Sequence, residues 1–198
     1  RPLRSYVGFF VNNMEQEGNS FQNLADGFGT RGLLLQNSRA TIRNIGGRVR
    51  EELEVVPKWT LAGGLGMEQS MLSIQAANHS YSGTNVATTT RTGAERTFWN
   101  WAPEMSLSWK PGADYRNWIR ASTGYGIPQL GQLTTGIDGN PGTNFDLKPQ
   151  KNVNFEIGTE GKLGKDLFVQ LVGFWTFYRD EIISVTNQAT QRAFSANA

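Results

Sequence analysis

The sequence of 198 residues predicts an all-β fold, namely a segment of an antiparallel transmembrane β-barrel. Three observations support this prediction. Apolar and polar residues alternate over long stretches, large aromatic residues stand at both ends of the clearest stretch, and short turns alternate with long polar connections. This combination is typical of a barrel whose tilted strands cross a lipid bilayer.

The stretch 99–110 carries the clearest alternation. Every odd position from Trp99 to Trp109 is apolar, whereas nearly all the even positions are polar. At roughly 3.3 Å per residue this stretch extends for about 33 Å, and a tilt of about 40 to 45° projects that length to roughly 25 Å. The projected length matches the apolar band of an outer-membrane barrel. A half-buried strand of a soluble protein is usually only about five or six residues long.

The first half of the chain contains three further stretches with the same period. The alternation is weak from Ser5 to Asn13 and clear from Trp59 to Met67. Between them, a row of charges occupies every second position and therefore one face of a strand, and its members are Arg48, Arg50, Glu52 and Glu54. We expect this row to form ion pairs within the wall, in a water-filled lumen.

The second half of the chain adds three more strands. Residues 115–126 alternate except at Trp118, residues 153–157 alternate strictly, and an apolar stripe runs from Leu167 to Phe177. We therefore predict seven strands, near 4–14, 40–56, 58–75, 97–110, 115–126, 150–163 and 166–179.

The connections between these strands alternate in length. Short turns rich in Pro, Gly and charge are predicted at 57–58, 111–114 and 161–165, and long polar stretches at about 15–39, 76–96 and 127–149. In a transmembrane barrel, the short turns face the periplasm and the long loops face outward.

Seven strands do not close a barrel of the usual kind, which has an even number of strands. Two open edges would leave backbone groups unpaired in lipid, and residues 193–198 lack a closing alternating strand. We therefore expect residues 1–198 to be one partial barrel domain, an internal piece of a larger barrel. We also expect that the isolated polypeptide does not fold in detergent.

The composition excludes several classes of function. The 19 Lys and Arg against 17 Asp and Glu give a net charge of only +2, without the basic cluster of a nucleic-acid-binding protein. There is no Cys, which excludes disulfides, thiolate metal sites and a cysteine nucleophile. No apolar run is long enough for a membrane helix. No leader sequence stands at the start, so we expect a signal peptide to be absent or already removed.

Two passages in the second half resemble a known family, the TonB-dependent outer-membrane receptors. Ser122–Pro128 resembles the family's strand end s-x-G-Y-x-x-P, which leads into an extracellular loop. Asn144–Gln150, followed by Asn154–Gly158, is similar to N-x-x-L-K-P-E followed by N-x-E-x-G, with Gln150 in place of the usual Glu. The resemblance covers about residues 98–183.

The resemblance implies a barrel of about 22 strands plugged by an N-terminal globular domain. The plug and the segment that contacts TonB are expected upstream of Arg1. The implied activity is import across the bacterial outer membrane of a bulky nutrient, most often a ferric siderophore and sometimes cobalamin, haem or a saccharide. The implied partners are outer-membrane lipid, the ligand and, through the plug region, the TonB–ExbB–ExbD system. The resemblance implies no covalent chemistry and no cofactor.

Candidate site residues follow from position within the barrel. Tyr125, Gln129, Gln132 and the loop 134–143 lie at the predicted outer mouth, where a ligand would arrive. A second set lies on the polar face of the fifth strand and is predicted to face the lumen, where we expect packing against wall or plug rather than ligand contact. Its members are Arg116, Trp118 and Arg120.

Several motif-like strings are set aside. Gly63–Gly66 lacks the helix that a phosphate-binding glycine loop opens. Asp138–Asn140 begins like a calcium loop but has no downstream ligand at the required spacing. The single histidine, His79, is expected to be a solvated loop residue, so we assign neither a hydrolase triad nor a metal site.

Two other functions compete with receptor-type import. One is a passive porin, or another outer-membrane barrel without plug or energy coupling. The other is a soluble β-sandwich adhesin or carbohydrate-binding module that uses its aromatic residues for sugar stacking. The upstream coding sequence separates the first alternative from a receptor, and solubility without detergent identifies the second.

Overall fold

The computed structural model describes residues 2–23, 31–164 and 167–198. Seven strands form one antiparallel sheet in chain order, and two shorter strands form a separate hairpin. The strands are β1 Leu3–Asn23, β2 Arg31–Val56, β3 Trp59–Ser82, β4 Asn85–Trp109, β5 Tyr115–Gly126, β6 Gln150–Leu163, β7 Leu167–Arg179, β8 Ile182–Asn187 and β9 Arg192–Asn197, and one short helix, α1, spans Leu130–Leu133. The predicted number of wall strands, seven, is confirmed.

The two faces of the sheet differ as the alternation predicts. In β4 the odd positions form an outer face of exposed apolar side chains, with Met105 62% exposed. The even positions form an inner face, where Asn100 is buried. A soluble monomer rarely exposes a continuous apolar face of this kind, whereas an apolar outer face is typical of barrel strands that contact lipid.

The register places aromatic residues in two zones of the outer face. Trp59 pairs with Trp109 next to the short turns, and their rings stack with centroids 5.7 Å apart. Near the other end of the apolar band, Trp99 and Trp101 are both more than half exposed. Tryptophan prefers the interfaces between lipid and water, so these zones mark the two boundaries of the apolar band.

Strands β1 to β4 are much longer than predicted. The stretches 15–39 and 76–96, predicted as long loops, are mostly strand: β3 and β4 are joined by a tight turn at Gly83, which has φ +63°. Residues 24–30 lie outside the described residues. The prediction failed because a strand beyond the bilayer has water on its outer face, so its backbone pairing persists while the apolar alternation fades.

The third long connection is a true loop, as predicted. Residues 127–149 contain α1 and a bridge between Thr135 and Pro141. Leu133 and Leu147 of this loop are fully buried against apolar side chains from the inner faces of the long strands. The buried strand residues of this cluster are Ala40, Leu72, Ile74, Ala94 and Phe98.

The C-terminal residues form a hairpin rather than a wall strand. Residues 193–198, predicted to lack a strand that closes the barrel, lie largely in β9, which pairs with β8 and not with the wall. The hairpin contacts the 127–149 loop: Asn144 Nδ2 donates to the carbonyl of Ser195 at 2.7 Å, and the backbone N–H of Lys148 donates to Asn197 Oδ1 at 2.8 Å. The loop is therefore held between the long strands and this hairpin.

The first two short turns lie where they were predicted, and the third is described only as far as residue 164, with residues 161–163 in β6. Pro57–Lys58 joins β2 to β3, with Lys58 at φ 75°, and residues 110–114 join β4 to β5. In the third turn Gly164 has φ +71°, while residues 165–166 lie outside the described residues. Among the residues that the structure describes, no helix is long and apolar enough to cross a bilayer.

Candidate functional site

A network of charges lies on the inner face of the wall, and Glu104 is its centre. Its side chain is only 8% exposed. Glu104 Oε2 accepts from Arg120 Nη2 at 2.7 Å, and Oε1 accepts from Arg50 Nη1 at 2.8 Å and from Arg48. Three guanidinium groups from β2 and β5 thus converge on one carboxylate of β4. Such charge-assisted hydrogen bonds are about twice as strong as neutral ones.

The charged row of β2 pairs within the wall, as predicted. Arg50 also pairs with Glu52 at 3.1 Å. Glu54 lies at the end of the row, where its carboxylate accepts from the backbone N–H of Lys58 at 3.2 Å. The row therefore stabilises the contacts between β2, β4 and β5 and leaves little charge available for a ligand.

The three candidate residues of β5 contact neighbouring wall strands. Arg116 pairs with Glu160 at 3.6 Å, Trp118 Nε1 donates to Glu156 at 2.6 Å, and Arg120 belongs to the Glu104 network. The Trp118 ring also covers Gly158, its cross-strand partner, where an added Cβ would collide with the indole. Their contacts among the described residues are those of wall packing.

The Tyr125 side chain of β5 is hydrogen-bonded to β3, a strand that is not its neighbour in the sheet, and is therefore not free at the outer mouth. The pairing of β4 with β5 stops at Glu104 and Ser122, next to Pro103, which has no amide hydrogen to continue the ladder. Beyond this point the Tyr125 hydroxyl donates to Glu68 Oε2 of β3 at 2.8 Å. The same carboxylate accepts from Ser70 at 2.7 Å.

The other candidates at the mouth lie at the start of the loop. Gln129 is exposed, and its backbone N–H donates to Oε1 of Gln132 at 2.8 Å. The Gln132 side chain therefore caps α1 and retains its amide hydrogens as donors.

Within the predicted contact loop 134–143, Asp138 forms a local turn. Hydrogen bonds from the side chain and backbone N–H of Asn140 lower the pKa of the Asp138 carboxyl. The Asp138 carbonyl accepts from the Thr190 hydroxyl at 2.6 Å, and Arg192 donates to Asn140. The loop is thus attached to the C-terminal hairpin through polar contacts as well.

His79 is not a loop residue. It lies in β3, where Nδ1 is 3.0 Å from the Thr89 hydroxyl and Nε2 is 3.1 Å from Asn37 Oδ1. Residues 37, 79 and 89 share the outer face of the long strands, on the side opposite to the charge network. The part of the chain that the structure describes contains no cluster of metal-ligating side chains.

Comparison with known protein families identifies the family to which this wall belongs. The family model described as TonB dependent receptor-like, beta-barrel, matches residues 2–198. The chain belongs to this family. TonB-dependent receptors are transporters of the bacterial outer membrane and not enzymes, so the charge network is not a catalytic site. The soluble β-sandwich alternative is wrong, because the sequence is that of an outer-membrane barrel wall whose seven strands form one sheet.

Solved structures share this fold at low sequence identity. The ferric yersiniabactin uptake receptor FyuA from Yersinia pestis is 16% identical, with a TM-score of 0.69 over 92% of this chain and 27% of its own. The ferric-catecholate import receptor Fiu from E. coli K12 is 15% identical, with a TM-score of 0.69 over 98% of this chain and 30% of its own. The copper transporter OprC is 15% identical, with a TM-score of 0.64 over 98% and 30%. The chain spans less than a third of the length of these three proteins.

Two inner-face residues of this TonB-dependent receptor wall were missed by sequence reasoning. Glu104 stands at an even position of the clearest strand, but its role depends on which residues of β2 and β5 lie beside it. Arg96 lies in a segment predicted to be loop, although it belongs to β4. Counting back over the even positions from Glu104, along a strand longer than the predicted one, would have placed Arg96 on the inner face.

Proposed function

We propose that this wall belongs to a receptor that imports a ferric siderophore across the outer membrane with energy supplied through TonB. The observation that carries the proposal is the fold shared with FyuA and Fiu, which are described as a ferric yersiniabactin uptake receptor and a ferric-catecholate import receptor. The chain's membership of the TonB-dependent receptor family supports the same assignment.

The proposal includes a larger barrel around a wide lumen. In the described sheet β1 and β7 are the edge strands. Because unpaired edges are costly in lipid, we infer that further strands complete the wall and that residues 1–198 form one part of the barrel domain. A plug domain and a segment that contacts TonB, which works with ExbB and ExbD, complete the proposed protein.

The proposed route of the ligand passes the outer mouth. There we assign ligand contact to Tyr125, Gln129 and Gln132, with loop 134–143 beside them. Gln129 has an exposed side chain, Gln132 retains amide donors, and the Tyr125 ring is partly exposed while its hydroxyl is engaged by Glu68. Arg116, Trp118 and Arg120 keep the lumen wall rigid in this scheme.

The test is an uptake profile of a strain that lacks the gene. Under iron limitation, the deletion strain should fail to grow on one ferric siderophore while using other iron sources, and the wild-type gene should restore growth. Removing TonB from the complemented strain should abolish that growth again. Uptake that persists without TonB would favour the passive porin, and an unaltered profile across iron, cobalamin and sugars would refute import.

A further inference from the structure

A groove runs along the outer face of the wall, on the side opposite to the charge network. Its first part has a volume of about 720 Å³ and lies next to the short turns, where Trp59 and Trp109 form its border. A second part of about 540 Å³ continues it toward the middle of the apolar band. Leu107, Ile119 and Ile157 line both parts, which therefore form one continuous depression, the outer groove.

The depth of the outer groove comes from Gly173 of β7. Gly173 pairs in register with Ile157 of β6, and a Cβ added to it would meet Ile157 Cγ2 at 3.6 Å, an ordinary contact distance. The outer-face neighbours of Gly173 in its own strand are large and open to the outside, with Leu171 70% exposed and Trp175 66% exposed. A gap therefore lies between large side chains. In lipid, close packing rather than the hydrophobic effect retains a hydrocarbon chain in such a gap.

Two polar side chains stand at the end of the outer groove that is nearer the short turns. Asn117 of β5 and Thr159 of β6 are cross-strand partners on the outer face, and both line the groove. Neither side chain makes a hydrogen bond within residues 2–23, 31–164 and 167–198. Their amide and hydroxyl groups are therefore available as donors and acceptors. Beside hydrocarbon an unpartnered polar group is costly, so a ligand that supplies oxygen atoms at this depth is favoured.

Two lysines stand at the same end of the groove, in the short turns. Lys58 precedes Trp59 and Lys110 follows Trp109, and the backbone N–H of Lys110 donates to the carbonyl of Lys58 at 2.8 Å. Both lysines are exposed. The Lys58 ammonium donates to the carbonyl of Pro111 at 2.7 Å, which leaves two of its three N–H donors unused.

The carboxylates of these turns do not neutralise the two lysines. Glu54 accepts from the backbone N–H of Lys58 and not from its ammonium. In the part of the chain that the structure describes, no ion pair joins Lys58 or Lys110 to Glu54 or Asp114. Two positive charges are thus available at the depth where lipid headgroups lie, next to the tryptophans that mark the boundary of the apolar band.

The order of these groups along the outer surface matches the order of groups in a phospholipid. The lysines come first, the Asn117–Thr159 pair second and the gap at Gly173 third. A glycerophospholipid presents a phosphate, then ester oxygens, then acyl chains. Because the short turns face the periplasm, such a lipid belongs to the periplasmic leaflet of the outer membrane.

We propose that the outer groove is a binding site for one glycerophospholipid of the periplasmic leaflet. One acyl chain lies over Gly173, the ester carbonyls accept from Asn117 and Thr159, and the phosphate binds Lys58 and Lys110. The inference goes beyond the proposed function. It needs only a wall that spans the outer membrane, and it does not depend on what the receptor imports.

Ordinary contact with the bulk bilayer is the competing explanation. Polar and aromatic residues are common where a strand leaves the hydrocarbon, and lipids exchange past them without remaining bound. Contact of that kind does not depend on one particular lysine or glycine. A binding site, in contrast, recognises the phosphate and the acyl chain through different residues, so two probes that differ only in the phosphate separate the two explanations.

The experiment is native mass spectrometry of the purified intact receptor, titrated in detergent with two probes that have the same acyl chains. One probe is dioleoylphosphatidylglycerol, and the other is dioleoylglycerol, which lacks the phosphate. The wild-type receptor should retain one molecule of the phosphatidylglycerol more tightly than any further molecule. Lys58→Gln combined with Lys110→Gln should weaken this binding about 10- to 30-fold and should change binding of dioleoylglycerol less than about 2-fold.

Two further variants address the groove itself. Gly173→Leu fills the gap and should weaken binding of both probes about 10-fold or more. Asn117→Leu combined with Thr159→Val should weaken binding of both probes about 5- to 30-fold, as expected for the loss of two hydrogen bonds. These variants place apolar side chains against lipid, so we expect the wall to fold normally.

Two matched controls lie outside the groove. Gly47→Leu adds the same side chain to the outer face of β2, where an added Cβ would meet only a backbone carbonyl at 3.5 Å. Lys151→Gln removes an exposed lysine from the opposite end of β6. Neither control should change the binding of either probe.

Several outcomes would overturn the inference. They are a wild-type receptor that retains no phosphatidylglycerol preferentially, lysine variants that weaken both probes equally or neither, and equal effects of Gly173→Leu and Gly47→Leu. Should thermal unfolding show that Gly173→Leu does not fold, the lysine variants and the Asn117 and Thr159 variants decide alone. Siderophore-dependent growth that persists alongside any of these outcomes leaves the proposed function in place.

Discussion

Arg120 and Glu104 meet on the inner face of the wall, where Nη2 of Arg120 lies 2.7 Å from Oε2 of Glu104. The two residues belong to adjacent strands but are not direct partners in register, since Glu104 pairs with Ser122 and Arg120 with Ser106. The contact is therefore diagonal. It leaves the other carboxylate oxygen to accept from Arg50 of β2, which allows one side chain to connect three strands.

Replacement of Glu104 should destabilise the barrel. Glu104→Gln removes the counter-charge of Arg48 and Arg120 and leaves Arg50 paired with Glu52 alone. We expect a loss of about 2 kcal/mol in the free energy of unfolding, which is less than the roughly 3 to 5 kcal/mol for breaking a fully buried pair, because the arginines are partly solvated. The measurement is thermal unfolding of the intact receptor in detergent, followed by its mobility on gels.

The matched control is Glu15→Gln. Glu15 pairs with Arg39 at 3.6 Å, and both side chains are more than half exposed. An exposed pair contributes less than about 1 kcal/mol, so the control should unfold close to the wild-type temperature. Equal effects of the two substitutions would show that Glu104 is not the centre of the network.

A methyl group at Gly158 should displace Trp118. Gly158→Ala places a Cβ against the indole ring and should cost roughly 1 to 3 kcal/mol through overpacking. Tryptophan fluorescence of a variant that keeps only Trp118 reports the displacement, because the ring would move away from Glu156. Gly63→Ala serves as the control, since an added Cβ there meets no atom within 4 Å. An unchanged Trp118 spectrum in Gly158→Ala would contradict the packing described.

The cost of an outward arginine should depend on depth in the bilayer. Phe155 pairs with Ala121 and Trp175 near the middle of the apolar band, whereas Leu163 lies next to a short turn. Phe155→Arg should cost about 2 to 4 kcal/mol, and Leu163→Arg about 0 to 1 kcal/mol. Reversible unfolding of the intact receptor in lipid vesicles measures both. Equal costs at the two depths would show that these side chains do not face hydrocarbon.

The loop 127–149 should separate from the wall when its buried anchor is shortened. Leu133 is fully buried among strand residues, and truncation of such a leucine costs about 2 to 5 kcal/mol. Leu133→Ala should therefore raise hydrogen exchange and protease cleavage in the loop without changing the wall. Ile137→Ala, which truncates a side chain 63% exposed in the same loop, should leave both unchanged. Protection of the loop in Leu133→Ala at the wild-type level would contradict anchoring by this cluster.

The wall strands could be predicted because lipid on one side and a polar lumen on the other impose a period of two. The limits of β5, β6 and β7 agree with the predicted 115–126, 150–163 and 166–179 wherever the structure describes them. The same rule failed from 15 to 39 and from 76 to 96. In the described parts of these stretches, 15–23, 31–39 and 76–96, the strands extend beyond the apolar band, and Ala94 on the inner face packs in the cluster beneath the loop 127–149.

The sequence by itself determined the outer face, the number of wall strands and the positions of the short turns, because each depends on local chemistry: apolar side chains against lipid, and Pro and Gly at turns. Only the tertiary structure decided which charges meet. Arg50, Glu104 and Arg120 are far apart along the chain, and Arg96 meets Phe145 only because Leu133 and Leu147 hold the loop against the strands. Contacts of this kind depend on register and on long-range packing, which a period of two does not specify.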